Sequence, residues 1–225
     1  MEFTYFGHSC FAVQFGGKTL LFDPFISGNE LAKNIDINKI KTDYILISHG
    51  HSDHTSDLIQ IGLNNSALLI AAYEIAVWAG KKGLKYHPMN VGGKWQFDFG
   101  TVKCVSAVHS SVLPDGTYGA NPMGFVISDA EQAFYYAGDT ALTLDMQLIP
   151  RYKKIDLAIL PIGDNFTMGI EDAVEAAKMV NAKNVIGVHY DTFGYIQIDK
   201  NKAYDAFNWE GIKLHLPMIG ETVVI

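Results

Sequence analysis

Cysteine is scarce in this chain: there are two in 225 residues, Cys10 and Cys104, each inside an apolar, strand-like run. So few thiols exclude a disulfide scaffold, and a chain of this length buries roughly 70–75% of its unfolded surface without cross-links. The simplest reading is a reduced, cytoplasmic protein whose thiols are small buried hydrophobes. Long apolar runs are also missing. None approaches the ~18 residues of a membrane span, and Met1 to Phe6 lack the basic-then-apolar order of a secretory signal. Positive charge is thin as well: the formal net charge is −7 and no lysine- or arginine-rich run occurs. Nucleic acid and anionic membranes are therefore poor partners, because phosphate binding needs clustered cations. Bound metal ions would be the exception, adding positive charge where a substrate sits. Linkers, low-complexity tracts and short repeats are absent, so residues 1–225 read as one domain.

What is present is a large hydrophobic fraction, 48%, cut into short runs by glycine-rich turns. Thr4 to Phe6, Cys10 to Phe15 and Lys18 to Phe22 read as strands, the last two joined by a Gly16-Gly17 hairpin turn. Tyr44 to Ser48 is unbroken and apolar, as expected of a strand covered on both faces. A helix is expected over Thr55 to Ile61, with Thr55, Ser56 and Asp57 available to cap it. Ala67 to Ala71 is a strand and Glu74 to Ala79 a helix. The second half repeats the theme, with strands at Lys94 to Phe99, Val102 to Val108, Gly124 to Ser128, Ala133 to Ala137, Asp156 to Leu160 and Asn184 to Val188. A helix over Glu171 to Val180 shows apolar residues at helical spacing, and Ile212 to Leu216 and Val223 to Ile225 are short closing elements. Helices following several strands fit an α/β protein of two sheets with helices outside.

One segment does not read as packing. His49-Gly50-His51-Ser52-Asp53-His54 places four metal-ligand types in six positions directly after a strand. Imidazole and carboxylate together suit zinc and its first-row neighbours. Gly50 and Ser52 are small enough for a tight turn that aims successive side chains at one point. Such a turn also allows two ions, one served by His49 and His51 and the other by Asp53 and His54. Three further ligand types each follow a strand: His109, Asp139 and His189. Asp23 follows Lys18 to Phe22, where it is either a partner for a ligand histidine or a turn residue before Pro24. His87 and His215 have no partners in this pattern and read as structural or surface residues.

These residues resemble the metallo-β-lactamase superfamily, and within it the lactonase-like branch of small bacterial metal-dependent hydrolases. The likeness rests on Gly7-His8-Ser9, Asp23-Pro24, the His-x-His-x-Asp-His signature, Gly138-Asp139-Thr140, the Pro161 to Gly169 segment and His189-Tyr190. It implies an αββα sandwich of two similar halves, with the site at the edge between the sheets. It also implies a ligand allocation: His49, His51 and His109 for one ion, Asp53, His54 and His189 for the other, and Asp139 between them. The ions would be two divalent metals, zinc first, with manganese, iron or nickel also compatible. A pair of ions sharing one water lowers its pKa from about 15.7 towards ~7. The hydroxide bridging them would cleave a small ester, lactone, phosphodiester or amide, with Asp53 as the catalytic carboxylate that orients it or takes its proton. His8, Asp164, Asn165 and Tyr190 are the expected substrate contacts, with His8 alternatively making a structural hydrogen bond. A small-molecule substrate and an optional homo-oligomer complete the expectation. Two alternatives stand beside it: a ribonuclease Z-like phosphodiesterase, disfavoured by net acidity and the missing basic arm, and a metal-binding protein without turnover.

Overall fold

The computed structural model describes all 225 residues. The first half of the chain builds one sheet from β1 (Glu2–Gly7), β2 (Cys10–Phe15), β3 (Lys18–Phe22), β4 (Tyr44–Leu46), β5 (Leu68–Ala72) and β6 (Lys85–Met89), adjacent in that order. The second half builds another from β7 (Lys94–Phe97), β8 (Gly100–Ser106), β9 (Met123–Ser128), β10 (Ala133–Tyr136), β11 (Leu157–Pro161), β12 (Asn184–Val188) and β13 (Lys213–His215). The last strand, β14 (Thr222–Val224), returns to the first sheet and pairs antiparallel with β1.

Both sheets begin with antiparallel neighbours and continue with parallel ones. Parallel neighbours cannot be joined by a tight turn, so each of those connections crosses over the sheet. The crossovers carry the helices: α1 (Ser52–Thr55), α2 (Leu58–Asn65), α3 (Tyr73–Gly80), α4 (Ile149–Tyr152), α5 (Ile170–Met179) and α6 (Lys200–Trp209). The result is the four-layer αββα arrangement of the metallo-β-lactamase fold.

Between the sheets lies an aromatic core. Phe11 and Phe22 stack at 4.6 Å, and Tyr136 and Phe134 of the opposite sheet meet Phe22 edge-on at 5.5 and 5.9 Å. Strand β10 shows why the runs read as unbroken. Phe134 and Tyr136 join the inter-sheet core, whereas Tyr135 joins a second apolar cluster that includes Ala173, Ala177 and Phe207 of the outer helices. With both faces covered, every position is apolar. Cys10 and Cys104 are free and buried.

Three local expectations shift. The helix expected over Thr55 to Ile61 is divided into α1, inside the histidine turn, and α2, three residues later. Asp57 does not cap α2 with its side chain; its carboxylate instead accepts from the Ile26 and Ser27 amides and fixes the loop after β3. Strand β6 and helix α6 are largely exposed, and α6 buries only the short stripe Ala203 and Phe207, so neither stands out in the sequence.

Strand direction decides where the chemistry collects. Each antiparallel step reverses direction, so β1, β3 and β4 point one way in the first sheet, and β8, β10 and β12 share one direction in the second. Residues just past these strands therefore leave along one edge: His8 after β1, Asp23 after β3, His49 after β4, His109 after β8, Asp139 after β10 and His189 after β12.

Candidate metal centre

At that edge, one carboxylate oxygen gathers the histidines. Asp139 Oδ2 lies 2.9 Å from His189 Nε2, 3.2 Å from His54 Nε2, 3.7 Å from His109 Nε2 and 4.0 Å from His49 Nε2. Its other oxygen, Oδ1, is buried with no hydrogen-bond partner, and so is His54 Nε2. Buried polar atoms are almost always paired, so two unpartnered donor atoms within a cluster of imidazoles and carboxylates fit a site that can hold a cation. The potential ligand atoms fall into close groups: His49, His51 and His109; His8, Asp53, His54 and His189; and His49, His54 and Asp139.

The surrounding residues dictate which nitrogen each ring offers. Asp23, fully buried, accepts from the Ser48 amide at 2.8 Å, the Ser48 hydroxyl at 2.6 Å and the Tyr136 hydroxyl at 2.6 Å. It also faces His54 Nδ1 at 2.9 Å, so that nitrogen carries the proton and Nε2 turns inward. Because the Ser48 hydroxyl donates to Asp23, its oxygen accepts from His49 Nδ1 at 3.0 Å, which leaves His49 Nε2 for a metal. One buried carboxylate thus sets two tautomers. His51 presents Nδ1, 2.9 Å from His49 Nε2, while its Nε2 faces Ser110 Oγ at 3.4 Å.

Two glycines permit the convergence. Gly138 has φ +65°, and a Cβ there would stand 3.0 Å from both Ser48 Cβ and the Met123 carbonyl oxygen. At Gly50 a Cβ would lie 3.1 Å from Gly119 Cα, so the bare backbone lets the 109–121 loop pack on the histidine turn. The Gly50 amide donates to Ser111 Oγ at 2.9 Å, tying the two together.

Proton affinities follow the geometry. Burial holds the His49 imidazole well below its ordinary range, and lowers His51 and His109 too. All three are neutral at pH 7, the form that ligates metals. At Asp139 burial favours the acid, but the His189 and His54 rings outweigh it and keep the carboxyl well below the usual range. At Asp53 the hydrogen bond from His8 and the adjacent His54 likewise overcome burial and lower the carboxyl. Burial pushes His8 down to about 4.

The centre forms the floor of a cleft of about 610 Å³. His51, Asp53, His109, Asp139 and His189 face it, and Val112, Leu113, Pro114, Phe166 and Phe193 complete its walls. His8, Asp164, Asn165 and Tyr190 are not among the residues that line it. His8 is buried behind Asp53, with Nε2 3.1 Å from Asp53 Oδ2 and Nδ1 3.0 Å from Thr192 Oγ1. Tyr190 stacks on Tyr5 at 6.4 Å and, with His8, faces a different cavity. Asp164 and Asn165 both adopt positive φ, 62° and 53°, and turn the chain so that Phe166 reaches the cleft in their place. The 112–114 wall carries no sequence signal of its own, being a loop that matters through what it packs against.

Comparison with known proteins gives the family. The family model described as the Beta-lactamase superfamily domain matches residues 2–189. A UPF0173 metal-dependent hydrolase of Flavobacterium johnsoniae is 51% identical, over 99% of both chains. The UPF0173 metal-dependent hydrolase YtkL of Bacillus subtilis is 45% identical over 99% of both. Among solved structures, Igni18, a metallo hydrolase from the archaeon Ignicoccus hospitalis, superposes with a TM-score of 0.89 at 34% identity, over 99% of this chain and 97% of its own. The chain therefore belongs to the metallo-β-lactamase superfamily, among its UPF0173 metal-dependent hydrolases.

Proposed function

We propose that this hydrolase works with two divalent ions and cleaves a small ester, lactone, phosphodiester or amide. His49, His51 and His109 would hold one ion and Asp53, His54 and His189 the other, with Asp139 serving both. The observation that carries this reading is the single oxygen, Asp139 Oδ2, within 4.0 Å of histidine nitrogens from both groups. Zinc suits the donor set, as do manganese, iron and nickel. When bound, such ions bring water's pKa from about 15.7 towards ~7 and draw charge from the substrate oxygen.

The side chains do the rest. Asp53, its side chain 24% exposed at the cleft, orients the attacking water or takes its proton on a carboxylate oxygen. The water oxygen adds to the acyl carbon or phosphorus, the bond to the leaving oxygen or nitrogen breaks, and the proton passes to that leaving atom. His8 holds Asp53 in place through Nε2–H. No serine or cysteine nucleophile is called for; Cys10 is fully buried and its thiol is pushed up beyond the ordinary range by burial.

The test is metal analysis of zinc-supplemented protein beside a screen of a 4-nitrophenyl ester, a γ-lactone, an anilide and bis(4-nitrophenyl) phosphate. Two ions per chain and turnover of at least one substrate, lost in Asp53→Ala, are expected. Equal rates in the two proteins would reduce the chain to a metal binder without turnover.

A further inference from the structure

The cleft's chemistry changes abruptly a short way from its floor. Every titratable side chain that lines it belongs to the candidate metal centre: His51, Asp53, His109, Asp139 and His189. Above them the walls are Val112, Leu113, Pro114, Phe166 and Phe193, interrupted only by serines and Gly116. No lysine or arginine lines the cleft. The chain's single arginine, Arg151, sits in α4. Lys200, the cation lining the neighbouring cavity behind His8, is engaged by Asp191 at 3.2 Å and lies over the Tyr190 ring. Beside the wall, Asp115, between Pro114 and Gly116, accepts from the Thr117 amide and hydroxyl and from Trp78 Nε1, and Lys82 lies over the Trp78 ring at 4.8 Å.

Apart from Leu113, which is buried, the walls are open to solvent. Phe166 is 51% exposed, Val112 44% and Phe193 38%, and Phe166 continues outward edge-on to Tyr195, itself 78% exposed. Apolar side chains gathered at the mouth of a cleft, over a polar floor, mark a surface that a ligand covers. An anionic group held against these walls, away from the ions on the floor, would give up hydration with no lysine or arginine side chain beside it to replace that hydration. An alkyl or aryl group would gain by leaving water.

We infer that the substrate carries, beyond the bond that is cleaved, an uncharged apolar arm that lies against Val112, Leu113, Pro114, Phe166 and Phe193. The inference rests on the hydrolase reading above and narrows it. Neutral esters, lactones or amides with hydrophobic substituents fit the cleft. RNA and other polyanions do not, because their neighbouring phosphates would meet these apolar walls.

Two matched esters test it on the metal-replete protein: 4-nitrophenyl hexanoate, and the mono-4-nitrophenyl ester of adipic acid, which has the same number of acyl carbons and ends in a carboxylate. The neutral ester is expected to show a kcat/KM at least about tenfold higher. Val112→Lys, a change at an exposed position, is expected to narrow or invert that ratio. Equal or better turnover of the anionic ester by the unaltered protein would overturn the apolar arm while leaving hydrolysis intact. If neither ester is turned over, binding decides the question separately. Saturation transfer by NMR to nonan-2-one, which cannot be hydrolysed, is expected with the unaltered protein and reduced in a Phe166→Ser, Phe193→Ser double variant. Absence of transfer in both proteins would overturn the inference, whatever becomes of the hydrolase reading.

Discussion

His8 Nε2 stands 3.1 Å from Asp53 Oδ2, and the His8 carbonyl oxygen accepts from the His189 amide at 2.9 Å. One residue outside the histidine signature thus steadies two members of the same proposed ligand group. With Asp53 ionised, the shared proton belongs to His8 Nε2, and Nδ1 accepts from the Thr192 hydroxyl.

That relationship predicts the behaviour of His8→Asn. His8 has φ +55°, a region that asparagine tolerates, so the backbone is retained while the shorter side chain loses Asp53. Loss of such an outer partner typically weakens metal binding about 10–100-fold. Chelator competition should show that weakening for one of the two ions, with the metal-free melting temperature little changed. Unaltered affinity for both would show that His8 does not position Asp53.

Asp139→Ala removes the oxygen common to both groups. The expected result is a chain that retains at most one tightly held ion and loses hydrolysis, read by elemental analysis after gel filtration. Retention of the full metal content would mean that Asp139 bridges nothing.

Metal removal should lower stability. Each ion held at a free concentration of about a thousand times its Kd stabilises the native state by about 4 kcal/mol, so a single ion already sets the minimum expected. For a chain of this size that corresponds to roughly 8–16 °C in melting temperature. Dialysis against a chelator should produce a fall of that order, reversed by adding zinc. An unchanged transition would argue that no folded-state ion exists.

Gly138→Ala should disturb the site without touching a ligand. Its φ of +65° disfavours any Cβ, and one built there would stand 3.0 Å from Ser48 Cβ and the Met123 carbonyl oxygen, which would have to give way. A cost of roughly 1–3 kcal/mol follows from the strain. Displacement of neighbouring Asp139 should also weaken metal binding, so both the melting temperature and metal affinity are expected to drop. A variant as stable as the parent with the same metal affinity would contradict the steric argument.

Much of the architecture is legible in the chain because its signals are local. Gly16-Gly17 turns β2 into β3, and the runs at 45–47 and 133–137 are apolar because their strands are buried. Strand β6 and helix α6 escape such reading because most of their residues are exposed, which leaves only a short apolar stripe in α6. Among the expected substrate contacts, His8 and Tyr190 have ring systems suited to a ligand, yet the structure spends one on Asp53 and the other on Tyr5. Neither choice is visible from residue type.

The amino-acid sequence by itself determined which atoms are available for chemistry: a six-residue turn dense in imidazole and carboxylate, and three more ligand types placed just past strands. Donor chemistry and strand ends are properties of short segments, so they survive without a fold. The tertiary structure alone decided that one Asp139 oxygen faces four imidazoles, that His8 stands behind Asp53, and that the 112–114 loop joins Phe166 and Phe193 around the cleft. Those relations join residues far apart in sequence, and they exist only once strand directions and the packing of two sheets have brought six strand ends to one edge.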